Sequence, residues 1–352
     1  MGGKLLPVNP DDSLLVTGAG GFIGTKVVAR LLESGYRNIR CFVRPSSSIG
    51  QLLELKKASG GTIQILQGNL LSPGDCEMAV KGAPVIYHLA AGKGLKSIPE
   101  AYLNSVVTTR NLLEAALAGG KLLRFVNVSS FSIYDNTRMK AGALLDETCP
   151  MEDQPTRKGE AYSYAKIKQD ELVMEYGKKR GLPYVIVRPG VVYGPGVKGI
   201  HGRIGIDSFG PFLHMGGSNR IPLTYIDNCA EAIVLAGLTD GVDGEVFNVV
   251  DDDLPTSRQF LRMYKGNVAR FRSFYVPKLV SRLFSVLWEK YVRWSGGQLP
   301  DVFNRTRWST DWKGNRYSNE KIKALLGWKS IVPFTEASKR FFDYCRTAGG
   351  QP

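Results

Sequence analysis

Short apolar runs alternate with amphipathic stretches along roughly the first 190 residues. Leu14, Leu15 and Val16 form a run that stops at a cluster of glycines, which predicts a short buried strand. Phe22, Ile23, Val27, Val28, Leu31 and Leu32 then recur at helical spacing. Further strands are predicted at 38–43, 62–66, 84–88, 124–128 and 183–187, and strong helices at 99–118 and 162–179. Strands and helices alternating at this spacing demand right-handed crossovers. The expected fold class is therefore α/β, a doubly wound parallel sheet covered on both faces.

Beyond residue 190 the pattern changes. Residues 194–220 are rich in glycine and carry His201, Arg203, His214 and Arg220 without metal-ligand spacing. A strand at 221–226, a helix at 227–238 and a strand at 245–249 are expected to rejoin the sheet. Helices near 256–265, 278–294, 318–326 and 335–346 would build a smaller, mostly helical lobe. The resulting division is a dinucleotide-binding domain over 1–190, rejoined by 222–250, and a substrate lobe over 191–352. Residues 135–160 are irregular and polar, with Pro150 and Pro155. A loop of that length is expected to face a substrate.

The 278–294 helix is amphipathic. Leu279, Val280, Leu283, Phe284, Leu287, Trp288, Tyr291 and Val292 form one stripe; Lys278, Arg282, Ser285, Glu289 and Arg293 form the other. The favoured expectation is a lobe helix packed over the substrate cleft. The alternative is peripheral contact with a membrane surface.

The glycines after Val16 supply the first chemistry. A strand, a turn at Gly18, Gly20, Gly21 and Gly24, and a helix form the arrangement that holds a pyrophosphate. Glycine lets the backbone approach the anion, and the helix N-terminus offers free N–H groups. At the end of the second strand stands Arg44, where an NAD site usually has an acidic residue. An arginine there suits the extra phosphate of NADP, with NAD as the alternative. Ser46, Ser47 and Ser48 could add donors. The small residues after His88, Ala90 and Ala91, would let backbone lie close to a cofactor; His88 itself reads as a structural strand-end histidine.

Tyr162 and Lys166 lie at i and i+4 of a predicted helix and share one face. A neighbouring ammonium favours a phenolate, so Tyr162 could exchange a proton with an alcohol or carbonyl near neutral pH. Ser130, at the end of the fifth strand, could bond the same oxygen. A second register, Tyr164 with Lys168, overlaps the first.

Composition narrows the field. The hydrophobic fraction of 43% and charged fraction of 22% are those of a soluble globular chain. No apolar run is long enough to span a bilayer, and the first residues lack the apolar core of a signal peptide. Five scattered cysteines and three histidines show no metal-site spacing, so no metal is expected. Reduced thiols suit a cytoplasmic protein. The formal charge of +14 fits an anionic substrate or an acidic surface. No nucleic-acid-binding motif is present.

Thr17-Gly18-Ala19-Gly20-Gly21-Phe22-Ile23-Gly24, Ser129-Ser130, Tyr162-x-x-x-Lys166 and Arg188-Pro189 together resemble an extended short-chain dehydrogenase/reductase. That group comprises the NAD(P)-dependent epimerases and dehydratases with their 3β-hydroxysteroid dehydrogenase and dihydroflavonol reductase relatives. Asn104, Tyr225-Ile226-Asp227-Asn228 and Leu325-Leu326-Gly327-Trp328 extend the resemblance over almost the whole chain. It implies that Gly18, Gly21 and Gly24 contact the pyrophosphate, with Phe22 and Ile23 at the helix start. It places Arg44 at the adenosine phosphate, Asn69 and Leu70 at the adenine, and Ala90 and Ala91 along the cofactor. Ser130, Tyr162 and Lys166 match the catalytic trio, with Lys166 also at the nicotinamide ribose; Pro189 and Val191 would lie beside the nicotinamide. Asp170, four residues after Lys166, supports the first register. Asn69 departs from the family's usual Asp. Ser-Ser-Phe stands where sugar dehydratases carry Thr-Asp-Glu, which disfavours dehydration.

The implied activity is interconversion of a secondary alcohol and a ketone by hydride transfer. The alternatives are a nucleotide-sugar epimerase without net redox change and a non-catalytic cofactor sensor. The expected substrate is a nucleotide sugar or a lipid-like alcohol or ketone. A homodimer through 99–118 and 162–179 is a family expectation.

Overall fold

The computed structural model describes residues 4–59, 62–92, 97–154, 160–207, 210–296 and 303–349. In chain order, β1 (Leu14–Thr17), β2 (Asn38–Val43), β3 (Thr62–Gln67), β4 (Val85–His88) and β5 (Arg124–Val128) alternate with α1 (Phe22–Glu33), α2 (Gly50–Ala58), α3 (Pro73–Val80), α4 (Ile98–Tyr102) and α5 (Thr108–Ala118). The short β6 (Leu144–Leu145) precedes α6 (Ala161–Arg180) and β7 (Tyr184–Pro189). Then come β8 (Val191–Tyr193), β9 (Gly205–Asp207), β10 (Phe212–His214), β11 (Leu223–Tyr225), α7 (Ile226–Leu238) and β12 (Val246–Val249). The chain closes with α8 (Ser257–Asn267), β13 (Ser273–Tyr275), α9 (Lys278–Trp294), α10 (Arg305–Asp311), β14 (Arg316–Tyr317), α11 (Glu320–Leu326) and α12 (Phe334–Thr347).

Seven strands form one parallel sheet in the order β12-β7-β5-β4-β1-β2-β3. The period-two alternation of its strands divides the core. Leu14, Val16, Val85, Tyr87, Val126 and Val128 pack on α1 and α7. Leu15, Ile86, Phe125 and Ile186 pack on α3, α5 and α6. Strand order reverses between β1 and β4, so a crevice opens at their C-terminal ends.

The structure corrects three expectations. Of the stretch 222–250, β12 joins the large sheet, but Leu223–Tyr225 pairs with Val191–Tyr193 in a separate two-stranded ladder. The reason is that Gly190 bends the chain out of β7; a Cβ there would lie 2.2 Å from the Pro222 carbonyl oxygen. The helix expected over 99–118 is interrupted by a π turn, Leu103–Val107, between α4 and α5. The described part of the 135–160 loop docks on the C-terminal lobe; residues 155–159 lie outside the described residues. Lys313 Nζ donates to the carbonyls of Asn136 and Met139, the latter at 2.6 Å, and Asn315 Nδ2 donates to Asn136 Oδ1 at 2.6 Å.

The fourth difference concerns α9. Its buried residues are the small Ser281 and Ser285, while Leu279, Val280, Leu283, Phe284, Leu287, Tyr291 and Trp294 are exposed. Leu279 and Trp294 are 81% and 80% exposed. The apolar stripe therefore faces away from the lobe, contrary to the favoured expectation. Only Trp288 and Val292 of the stripe turn inward, half-buried. No helix among the described residues is long and apolar enough to cross a membrane.

Candidate active site

A cavity of about 770 Å³ starts at the β1–α1 turn and runs past the ends of β2, β4, β5 and β7 to α10. Its inner end is shaped by glycine. Gly18 has φ +69°, and a Cβ on it would lie 2.9 Å from the Ala90 backbone nitrogen. A Cβ on Gly24 would lie 2.2 Å from the Gly18 carbonyl oxygen, so α1 can start this close to the strand only without a side chain. Gly21 precedes the helix, and the first turn of α1 holds no acidic residue to oppose an anion.

The expected residues line this one cavity. Gly18, Gly21, Phe22, Ile23, Gly24, Arg44, Asn69, Leu70, Ala90 and Ala91 form one part of the wall, and Ser130, Tyr162, Lys166, Pro189 and Val191 another. Ser47 and Ser48 stand with Arg44. Asn69 is held in a local turn, its Oδ1 accepting from Leu71 N at 3.0 Å. Neither Tyr164 nor Lys168 is among the lining residues. Tyr164 stacks obliquely with Tyr102 at 6.4 Å, and Lys168 pairs with Glu171 at 2.7 Å.

Ser130 ends the β5 run and caps a 3₁₀ turn, accepting from Ser132 N at 3.2 Å. It lines the cavity with Tyr162, and its hydroxyl favours the Tyr162 phenolate. Tyr162 is 36% exposed as a residue, into the cavity it lines. Burial of its phenol is the largest influence on it and pushes it above the usual tyrosine value; the Ser130 hydroxyl pulls it down and Asp170 pushes it up. The net direction is opposite to the lowering expected from the i, i+4 lysine. Lys166 Nζ donates to the Val128 carbonyl at 2.7 Å and to Gln169 Oε1 at 2.8 Å. Asp170 does not reach the cavity. It is buried and accepts from Asn127 Nδ2 at 2.8 Å, Ser129 Oγ at 2.8 Å and Arg188 Nε at 3.1 Å, which fixes β5, α6 and β7 against one another.

Sequence reasoning missed the outer end of the cavity. His201, Arg203, Thr306, Arg307, Thr310 and Asp311 line it, most of them from α10, a helix the periodicity did not reveal. Its signal was Asn304, whose side chain accepts from Arg307 N at 2.7 Å as an N-cap. Arg203 and Arg307 approach Asp311 at 3.7 and 3.6 Å. Two guanidiniums against one carboxylate leave this end positive. Glu160, hydrogen-bonded to Ser163 Oγ at 3.0 Å, also lines the cavity and was not foreseen. The residues at the Thr-Asp-Glu position, Ser129, Ser130 and Phe131, present no carboxylate to the cavity.

The family model for the NAD dependent epimerase/dehydratase family matches residues 14–249, well over half of the chain. The chain belongs to this family. Among relatives of this epimerase/dehydratase chain is a trifunctional UDP-glucose 4,6-dehydratase/UDP-4-keto-6-deoxy-D-glucose 3,5-epimerase/UDP-4-keto-L-rhamnose-reductase of Arabidopsis thaliana. It is 27% identical over 94% of this chain and 46% of its own length. A 3beta-hydroxysteroid-dehydrogenase/decarboxylase of Arabidopsis thaliana is 23% identical over 94% of this chain and 78% of its own. The chain spans 46% of the length of the trifunctional enzyme, 53% of a cinnamoyl-CoA reductase of rice and 64% of a 2-alkyl-3-oxoalkanoate reductase of Shewanella oneidensis. UDP-glucuronic acid 4-epimerase from Bacillus cereus, solved with UDP-glucuronic acid and NAD, shares the fold with a TM-score of 0.70 at 22% identity, covering 96% of this chain and 99% of that one.

Proposed function

We propose that this family member is an NAD(P)-dependent oxidoreductase that interconverts a secondary alcohol and a ketone. The observation that carries this reading is that Ser130, Tyr162 and Lys166, the last two on one helix face, line one cavity with the β1–α1 glycine turn. The glycine cradle, which a Cβ at Gly18 or Gly24 would fill, fits a pyrophosphate. When bound, the nicotinamide cofactor supplies or accepts the hydride. Gly18, Gly21, Gly24 and the first turn of α1, with Phe22 and Ile23, hold the anion; Asn69 and Leu70 flank the adenine, and Ala90 and Ala91 give close backbone. Pro189 and Val191 wall the nicotinamide side. Tyr162 takes the proton from the alcohol, or returns it to the ketone oxygen, while Ser130 bonds the same oxygen. We assign the Lys166 ammonium the role of favouring the phenolate during turnover, against the burial that pushes the phenol up in the free protein.

Arg44, with Ser47 and Ser48 beside it and no acidic residue at the end of β2, supports NADP over NAD. The positive outer end at Arg203 and Arg307 supports an anionic substrate such as a nucleotide sugar. It also favours a second reading, epimerisation, in which the hydride returns to the opposite face of the same carbon. A substrate screen that follows nicotinamide absorbance separates the readings. Net change during turnover supports the oxidoreductase; product without net change supports the epimerase; binding without turnover supports a sensor.

We place residues 1–190 with α7 and β12 in the cofactor domain and the rest of 191–352 in the substrate lobe, in a cytoplasmic homodimer joined through 99–118 and 162–179. Light scattering in solution tests the dimer. We also propose that α9 rests on an anionic membrane surface. Its outward apolar face carries Tyr291 and Trp294, and the helix also bears the basic residues Lys278, Arg282, Lys290 and Arg293. The acidic Glu289 is paired with Arg293 and, at 2.8 Å, with Arg305. Like charges oppose a second copy on this face. No flotation with anionic vesicles at low salt would sink the idea.

A further inference from the structure

A chain of buried polar groups runs from Lys166 across the α5/α6 side of the sheet to the end of β1. Lys166 Nζ donates to Gln169 Oε1 at 2.8 Å, and Gln169 Nε2 donates to Thr109 Oγ1 at 2.7 Å. Thr109 Oγ1 lies 2.8 Å from His88 Nε2, and His88 Nδ1 lies 2.8 Å from Thr17 Oγ1. Thr17 Oγ1 accepts from Ala90 N at 3.4 Å. Gln169, Thr109, His88 and Thr17 are all fully buried.

Counting protons fixes every orientation in this chain. Thr109 has one hydroxyl hydrogen, and it goes to the Ser105 carbonyl at 2.5 Å, which can only accept. That carbonyl lies in the π turn, whose wider hydrogen-bond ring leaves room for a side-chain donor. The Thr109 oxygen must then accept from both Gln169 Nε2–H and His88 Nε2–H. His88 is the neutral Nε2–H tautomer, consistent with burial and the Lys166 charge pushing it down to about 3. Its Nδ1 accepts from the Thr17 hydroxyl. With its amide nitrogen committed to Thr109, Gln169 can offer Lys166 only its oxygen.

We propose that Gln169 is a positioning residue for Lys166, clamped through Thr109 and His88, that holds the ammonium in place without cancelling its charge. The distinction from a carboxylate is the point. A neutral amide oxygen fixes the geometry of the ammonium, whereas a glutamate at 169 would form an ion pair and remove the field that Tyr162 needs. Asp170 cannot take over, because both its oxygens are engaged by Asn127, Ser129 and Arg188. Among the described residues, Asp170 on their own helix, paired with Arg188 of β7, acts on Tyr162, and the Lys166 charge acts on the neutral His88 of β4.

This inference rests on Tyr162 as the proton-transferring group, but its test does not need the substrate. The ionisation of Tyr162 is isolated as the difference in near-ultraviolet tyrosinate absorbance between a protein and its Tyr162→Phe counterpart. This is titrated in the wild-type and Gln169→Glu backgrounds, with thermal unfolding alongside. The expected result is a midpoint about one pH unit higher in Gln169→Glu. Thr109→Val, which releases the clamp, should move the midpoint in the same direction, and Thr109→Ser should restore it. Coincident midpoints in all variants, with only the unfolding temperature changed, would overturn the proposal and leave the network a purely structural one. Should Gln169→Glu not fold, the Thr109→Val and Thr109→Ser pair decides alone. Turnover by Tyr162→Phe would instead sink the underlying reading, whatever the titration gives.

Discussion

Trp308 donates its indole N–H to the Ser281 hydroxyl at 2.9 Å, and both residues are buried. Trp308 lies on α10, whose Thr306, Arg307, Thr310 and Asp311 line the cavity; Ser281 lies on the inward face of α9. One helix thus touches both the site and the helix with the outward apolar stripe. Phe284 adds a ring contact with Phe303 at 5.0 Å on the same seam.

The seam predicts an asymmetry across α9. Ser281→Ala leaves the Trp308 N–H unpaired and should lower stability by about 1–3 kcal/mol in urea unfolding. Leu283→Glu with Leu287→Glu changes outward positions and should stay within about 1 kcal/mol of wild type, two surface sites at about 0.5 each. The same pair should abolish flotation with anionic vesicles. A large loss of stability in the double variant would mean that the stripe is packed after all.

Tyr162 and Tyr164 are two residues apart but reach different surroundings, the cavity for one and Tyr102 for the other. Tyr162→Phe should lower kcat by about 100-fold to 10,000-fold while cofactor fluorescence titration still shows binding. Tyr164→Phe should retain near wild-type turnover. The reverse pattern would move the chemistry to the second register.

Arg44 is exposed beside Ser47 and Ser48, so replacing it should not disturb the core. Arg44→Asp should weaken NADPH about 10-fold to 100-fold, the worth of a charge-assisted phosphate contact, and spare or improve NADH. Calorimetric titration of both cofactors reads this directly. An unchanged NADPH affinity would assign Arg44 to solvent.

Asp251 joins α7 and β11 to the end of β12, accepting from Tyr225 N at 2.8 Å and Asn228 Nδ2 at 2.9 Å. Burial pushes its carboxyl up to about 7. A carboxyl raised on folding stabilises the fold fully below its unfolded value, and that contribution is lost as pH rises through about 7. The stability difference between wild type and Asp251→Asn should therefore shrink from pH 5 to pH 8, at no more than about 1.4 kcal/mol per unit. Urea unfolding across that range measures it; a difference that stays constant with pH would show that Asp251 is charged throughout.

The sheet strands and the shared helix face of Tyr162 and Lys166 were legible because they rest on local periodicity. Continuous apolar runs specify a strand buried on both faces, and an i, i+4 pair specifies one helix face, whatever lies elsewhere in the chain. The glycine turn was legible for the same reason: a Cβ at Gly24 would strike Gly18, six residues away.

Other features depend on partners distant in sequence. Arg307 and Arg203 share Asp311 only because the Gly205–Asp207 region and α10 fold over the same cavity end. Thr109 meets Gln169 and His88 across 60 and 21 residues, and nothing local marks it as polar core. The stripe on α9 was plain in the sequence, but periodicity gives two faces and not their direction. Small Ser281 and Ser285 let α10 approach closely on the polar side, and that packing, settled only in three dimensions, turned the leucines outward.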